Sequence, residues 1–336
     1  MSNRAWRIHD FKGIDSLVLE TLPMPEPGPG EVRVKVKAVG LNRSDLLWIT
    51  AGFFTPELPA LVGAEFCGVV DAVGEGVSRF KPGDRVSNTF APLSYANFGE
   101  YTVCQESSLV PTPECLSDME GAAFFFTHIT QMLGLVERAQ IRPGQTVLIT
   151  AGTSANGNSA ILIAKLIGAR VIATSRSSRQ RDTMLALGAD HVIATGEEVL
   201  SERVAEITGG KGADIVYDCV GGAITEELLK SCAPGATWIM LGFLDPSPVT
   251  VNWPLWFTRQ PMLQLFSATQ YSGAAEMGFP GRPEQYYRAV QGLLALIDSG
   301  RLAIPIGATM DGIDKVPDAF RMMEANQGGG KIVVSF

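Results

Sequence analysis

The chain has 336 residues, 46% hydrophobic and 18% charged, with 27 Lys and Arg against 35 Asp and Glu for a net charge of −8. That length exceeds one ordinary core and suits two domains, while the acidic balance argues against nucleic acid, whose phosphates need clustered cations. No stretch approaches the about 20 uninterrupted apolar residues of a membrane span, and residues 1–10 are mixed polar rather than a secretory leader, so a cytoplasmic protein with no membrane partner is expected.

From residue 16 to about 110, short apolar runs are punctuated by Gly and Pro. They include Val32-Arg33-Val34-Lys35-Val36, residues 66–73 and Asp84-Arg85-Val86, set off by Pro25-Glu26-Pro27-Gly28-Pro29-Gly30 and Lys81-Pro82-Gly83. The pattern predicts a small antiparallel barrel or sandwich. From Gln145 the period changes: 147–150, 170–174, 191–193, 215–220, 237–242 and 263–267 read as buried strands. Between most of them lie stretches of helical length, at 159–167, 179–187, 199–207 and 225–232, which predicts a parallel sheet with helices on both faces. A helix at 284–299 and a terminal strand at 331–334, returning to the first domain, close the chain. Cys67, Cys104, Cys115, Cys219 and Cys232 are odd in number, widely spaced and without a CxxC pair, which fits reduced thiols.

Val147-Leu148-Ile149-Thr150 runs into Ala151-Gly152-Thr153-Ser154-Ala155-Asn156-Gly157 and then into an apolar helix. At such a strand-to-helix turn, exposed N–H groups and the helix dipole favour a pyrophosphate. Gly152 permits the tight turn and Gly157 permits close packing of helix on sheet. Ser154 replaces the middle glycine of G-x-G-x-x-G, and its hydroxyl, with Asn156 and Asn158 nearby, offers compensating donors. A turn with no ligand fits the same residues, but the surrounding strand–helix alternation favours a nucleotide. An NAD site needs Asp or Glu about 20 residues further on to accept from the ribose 2′-hydroxyl. Here strand 170–174 ends in Ser175-Arg176-Ser177-Ser178-Arg179, without a carboxylate. Arg176 and Arg179, with Arg181 behind them and the serines between, suit a 2′-phosphate, so NADPH is the expected cofactor. The competing view, a solvated helix start, would set cations against the helix dipole.

Further motifs carry a family resemblance. They are Val39-Gly40-Leu41-Asn42-Arg43-Ser44-Asp45, Val62-Gly63-Ala64-Glu65-Phe66-Cys67-Gly68-Val69-Val70, Phe80-Lys81-Pro82-Gly83-Asp84-Arg85-Val86 and Ile141-Arg142-Pro143-Gly144-Gln145-Thr146-Val147-Leu148-Ile149. Later come Leu187-Gly188-Ala189-Asp190-His191-Val192-Ile193, Asp218-Cys219-Val220-Gly221-Gly222 and the closing Gly330-Lys331-Ile332-Val333-Val334. Over essentially its whole length the chain resembles the medium-chain dehydrogenase/reductase superfamily, in its zinc-independent quinone-reductase and enoyl-reductase branch. The resemblance implies an α/β protein: a GroES-like β-barrel catalytic domain from residues 1–126 and 271–336, and a doubly wound Rossmann domain, 127–270, binding NADPH in a cleft. Gly152, Ser154, Ala155, Asn156, Gly157, Ser175, Arg176, Arg179 and Lys331 are then the cofactor-binding candidates.

Zinc-dependent members present Cys, His and a further Cys or Asp to the metal, where this chain has Asn42, Ala64 and, less securely aligned, Phe126. None is a zinc ligand, residues 91–101 lack the cysteines of a structural zinc lobe, and His9, His128 and His191 form no local replacement. Without a Lewis acid, reduction of an already polarised enone, enoyl thioester or quinone is favoured over alcohol oxidation. Asn42 and Thr130 match positions beside the nicotinamide and are expected as orienting donors. Gly52-Phe53-Phe54 stands where some enoyl reductases carry a tyrosine proton donor, leaving the proton to solvent or to another hydroxyl. Trp48, Phe53, Phe54, Phe126, Trp253, Trp256 and Phe257 are expected to line an apolar substrate cleft, although each alone reads equally well as core. The resemblance also implies a homodimer. A catalytically idle NADPH-binding redox sensor or structural protein is the alternative in a different class.

Overall fold

The computed structural model describes residues 2–51, 57–89, 97–273 and 280–336, so Phe53 and Phe54 lie outside the described residues. The chain divides into two units. One is Met1–Phe126 with Ser272–Gly281 and Ile304–Phe336, and the other is Thr127–Tyr271 with Arg282–Ala303.

In the first unit β1 (Ser2–Ile8) pairs antiparallel with β2 (Leu17–Pro23). Next come β3 (Glu31–Leu41), helix α1 (Arg43–Ala51), the short β4 (Ala60–Leu61), which pairs with β1, and β5 (Glu65–Val73). Then follow β6 (Arg85–Asn88), β7 (Tyr101–Gln105), β8 (Leu109–Pro111) and helix α2 (Asp118–Gly121). Burial along β3 alternates as far as Val36, as a half-buried strand should, and becomes continuous from Ala38 to Leu41. The strand therefore carries the chain inward at the point where Asn42 follows.

Helix α3 (Phe125–Gln131) leads into a π-helical segment, Met132–Arg138. The second unit then alternates as its sequence requires: β9 (Thr146–Ile149), α4 (Ala155–Ile167), β10 (Arg170–Ser175), α5 (Arg181–Ala186), β11 (His191–Ala194), α6 (Leu200–Thr208), β12 (Ala213–Asp218), α7 (Thr225–Ser231) and β13 (Cys232–Met240). Helix α8 (Trp253–Arg259), strand β14 (Met262–Leu265) and helix α9 (Thr269–Ser272) complete it. The sheet is wholly parallel in the order β11-β10-β9-β12-β13-β14, so the winding reverses between β9 and β12. Successive strand residues point to opposite faces. Leu148, Ile172, Val216 and Trp238 meet Val204 of α6 and Leu228 of α7, with Leu255 and Trp256 of α8 packed against them. Tyr217, one residue on, points the other way, and its hydroxyl lies where a side chain at Gly134 of the π-helical segment would have to go.

Helix α10 (Pro283–Asp298), opened by a proline in its first turn, packs on the π-helical segment and ties Arg288 to Glu137 at 2.6 Å. Residues 282–303 therefore belong with the Rossmann unit and not, as expected, with the barrel. Strand β15 (Ile306–Asp311), helix α11 (Val316–Glu324) and strand β16 (Lys331–Ser335) return to the first unit, whose larger sheet runs β15-β16-β3-β5-β6-β8 with β7 also on β3. The pairing of β16 with β3, Ile332 opposite Leu41, brings Lys331 to Asn42.

Candidate active site

In an open α/β sheet a ligand binds beyond the carboxyl ends of the strands where the winding reverses, here the ends of β9 and β12. Thr150 Oγ1 donates to Asp218 Oδ1 at 2.8 Å and accepts from Cys219 N at 2.8 Å, while Asp218 Oδ1 also accepts from Val220 N at 2.8 Å. Both side chains are buried, so this staple fixes the two strand ends against each other. Burial raises the Asp218 pKa above the ordinary carboxylate range.

The turn after β9 is closed by the two expected glycines, with one change of role. Its left-handed residue is Ala151 (φ 50°), whereas Gly152 is needed for space: a Cβ there would lie 2.7 Å from Met184 Sδ and 3.1 Å from Thr174 O. A Cβ at Gly157 would run into the Ala151 carbonyl oxygen, so this glycine lets the first turn of α4 close over the loop. Ser154 caps α4, its Oγ accepting from Gly157 N at 3.0 Å, which leaves its hydroxyl hydrogen and the next N–H groups, beginning with Ala155, for an anion. Asn156 Oδ1 accepts from Gln131 Nε2 at 3.0 Å, which turns its amide hydrogens away from that glutamine. Asn158 is buried within α4, so it does not supply the exposed donor expected of it.

At the end of β10, Ser175 Oγ donates to Ser177 O at 2.7 Å. Arg176 and Arg179 are exposed, and neither enters an ion pair among the described residues. Arg181, by contrast, is structural: it donates to Val192 O at 2.7 Å and pairs with Glu198 at 3.0 Å. Ser178 donates from N and Oγ to Glu197 Oε1 at 3.0 and 3.2 Å. A phosphate seeking those donors would displace that carboxylate.

The first unit holds a polar cluster that sequence reasoning missed. Lys331 and Glu65 are 2% and 1% exposed and form an ion pair at 2.5 Å. Lys331 Nζ also donates to Asn42 Oδ1 at 2.7 Å, Asn42 Nδ2 donates to Glu65 Oε2 at 3.1 Å, and Glu65 Oε1 accepts from Phe126 N at 3.0 Å. Asp45, fully buried, accepts from Asn42 N at 2.7 Å through Oδ2 while Oδ1 finds no hydrogen-bond partner among the described residues, and burial pushes its pKa up to about 7. Two expectations change. Lys331, expected to bind the cofactor, is committed to Glu65 and Asn42. Asn42, with its amide hydrogens directed at Glu65 and at Gly40 O (3.3 Å), is no free donor. One signal was legible: a lone carboxylate, Glu65, at the head of a run as apolar as 66–70 needs a buried partner. That partner stands 266 residues away.

The same cluster bears on the metal question through its donor chemistry. Asn42 is an amide bonded to an ammonium, Ala64 a methyl and Phe126 a ring, while the nearby carboxylate of Glu65 already has a cation. This set does not fit a catalytic zinc.

Thr130 is half-buried on α3. The described residues expected to line an aromatic cleft divide between the two units. Trp48 and Phe126 are buried in the first unit. Trp256 packs into the core of the second, stacked on Trp238 with ring centroids 5.8 Å apart, while Trp253 and Phe257 of the same helix are 73% and 78% exposed.

Known proteins agree with this architecture. The Zinc-binding dehydrogenase family matches residues 156–277 and the Alcohol dehydrogenase GroES-like domain residues 28–121. The chain spans only a small part of the long synthases it matches: Mycoketide-CoA synthase of Mycobacterium tuberculosis is 32% identical over 89% of this chain, which covers 7% of that protein's length. Quinone oxidoreductase-like protein 2 homolog of Nematostella vectensis is 30% identical over 88% of this chain and 79% of its own. Among solved structures, quinone oxidoreductase of Pseudomonas syringae pv. tomato superposes with a TM-score of 0.89 at 28% identity over 100% of both chains. That of Escherichia coli, complexed with NADPH, gives 0.86 at 26% identity over 99% of this chain and 100% of its own. With its barrel strands, its parallel six-stranded sheet and these matches, the chain belongs to the medium-chain dehydrogenase/reductase superfamily, in its quinone-reductase and enoyl-reductase branch.

Proposed function

We propose that this protein is an NADPH-dependent reductase that passes hydride, without zinc, to a small, largely apolar, electron-poor acceptor: a quinone, an enone or an enoyl thioester. The observation that carries the reading is the cluster at Asn42, a position that the resemblance matches to a zinc ligand and that here is bonded to a buried ammonium–carboxylate pair. The E. coli relative solved with NADPH supports the cofactor, and so do Arg176 and Arg179 at the end of β10. Gly152, Ser154, Ala155, Asn156 and Gly157 would hold the pyrophosphate, with Ser175, Arg176 and Arg179 at the 2′-phosphate. The bound cofactor supplies two electrons and a proton as hydride. Asn42 and Thr130 orient the reacting groups, and the second proton comes from water.

The edge strand β14 supports a homodimer. It carries exposed Met262 and Leu265 and an edge that no strand pairs among the described residues, which a second copy would cover across a two-fold axis. Buried free thiols at Cys67, Cys104, Cys219 and Cys232 support a reducing, cytoplasmic setting.

NADPH consumption across a panel of quinones, enones and enoyl thioesters tests the reading, alongside metal analysis of the same preparation. Turnover with at least one class, without stoichiometric zinc and undisturbed by chelators, is expected. A folded protein that binds NADPH and reduces none of them would make it a redox sensor. One zinc per chain would remove the metal-free mechanism.

A further inference from the structure

The Asn42 amide is held by two groups of opposite chemistry. An ammonium has hydrogens to give and nothing to accept with, and a carboxylate has the reverse. The amide oxygen must therefore face Lys331 (2.7 Å) and the amide nitrogen Glu65 (3.1 Å), with the second amide hydrogen on Gly40 O (3.3 Å). The backbone is fixed as well, through Asn42 N on Asp45 Oδ2. Gly40 is part of the arrangement, since a Cβ there would strike the Ala122 carbonyl and lie 2.8 Å from Lys331 Cε.

We propose that Glu65 and Lys331 are positioning residues for Asn42, fixing its amide so that it meets a bound nicotinamide nucleotide or acceptor only as a hydrogen-bond acceptor, through the remaining lone pair of Oδ1. A buried ion pair is poor value as a stabilising device, because desolvation offsets much of the attraction and apolar residues of similar volume often serve as well. What an apolar pair does not supply is a donor on one side of an amide and an acceptor on the other. The Glu65–Phe126 bond ties the same carboxylate to the start of α3, so the clamp joins the ends of β3, β5 and β16.

The inference rests on Asn42 belonging to the site, and a three-part mutant cycle separates the two claims. Asn42→Ala should lower kcat; if it leaves kcat and KM at wild-type values, the site reading itself falls. The apolar pair Glu65→Leu/Lys331→Met should keep the fold yet lose about 10- to 100-fold in kcat, the scale of a misplaced active-site group, with KM changed by less than about threefold. The triple variant should be no slower than Asn42→Ala alone, because the pair acts through that residue. Glu65→Gln/Lys331→Gln, which keeps a donor facing Oδ1 and an acceptor facing Nδ2, should stay within about threefold of wild type. Wild-type kcat in the apolar pair, or losses that multiply in the triple variant, would overturn the proposal. Should the apolar pair not fold, the amide pair decides alone: a loss of about a hundredfold there would mean that charge, not orientation, is what matters.

Discussion

Cofactor choice connects this structure most directly to a measurable free energy. Replacing Arg176 with Ala removes a cation from the end of β10 that enters no ion pair among the described residues. A charge-assisted hydrogen bond contributes about 1.5 to 3 kcal/mol when sheltered, but Arg176 is exposed, and exposed ion pairs contribute about 1 kcal/mol or less. Between these limits, about 1 to 2 kcal/mol is expected, or about 5- to 30-fold in NADPH affinity. Ser178 adds little beyond this, since its N–H and hydroxyl already donate to Glu197 and a phosphate gains them only by displacing that carboxylate. NADH, lacking the 2′-phosphate, should bind almost unchanged. The Arg176→Ala/Arg179→Ala double variant should exceed either single change. Ser175→Asp should invert the preference, because a carboxylate there accepts from the ribose hydroxyl and repels the phosphate. Titration of each dinucleotide by fluorescence, at one fixed ionic strength, reads these ratios directly. Wild-type preference for NADH, or equal weakening of both cofactors by Arg176→Ala, would refute the reasoning.

Asp45→Asn should stabilise the protein, by an amount that depends on pH. The Asp45 pKa, raised in the fold to about 7, means that the native state holds a proton the unfolded chain releases near 4, so stability falls as pH rises between those values. The gain from Asn, on the order of a few kcal/mol at pH 8, should vanish by about pH 4 in denaturant melts; a pH-independent gain would contradict the assignment. Gly157→Ala should abolish dinucleotide binding in calorimetry, because its Cβ collides with the Ala151 carbonyl and forces the turn apart; unchanged affinity would show that the turn does not hold the pyrophosphate. Leu265→Arg, at an exposed position of the edge strand, should convert a dimer into a folded monomer in light scattering. A wild-type protein that is already monomeric at micromolar concentration would remove the dimer reading.

What the amino-acid sequence determined by itself was periodic or local. Strand–helix alternation after Gln145 specified the parallel sheet, because burial on both faces demands continuous apolar runs and parallel connection demands helices between them. The strand-to-helix turn at 151–157 and the Ser-Arg cluster at 175–179 were legible because each is built from neighbours in the chain. Tertiary structure decided whatever depends on partners far apart. It moved 282–303 to the Rossmann unit, since an amphipathic helix does not state which surface it covers. It packed Trp256 into the core and left Trp253 and Phe257 in solvent, although all three lie within five positions. And it made Lys331, expected to bind the cofactor, the buried partner of Glu65, because only the pairing of β16 with β3 sets a lysine near the end of the chain against an asparagine near its start. A buried charge needs a counter-charge, and the sequence names the need without the address.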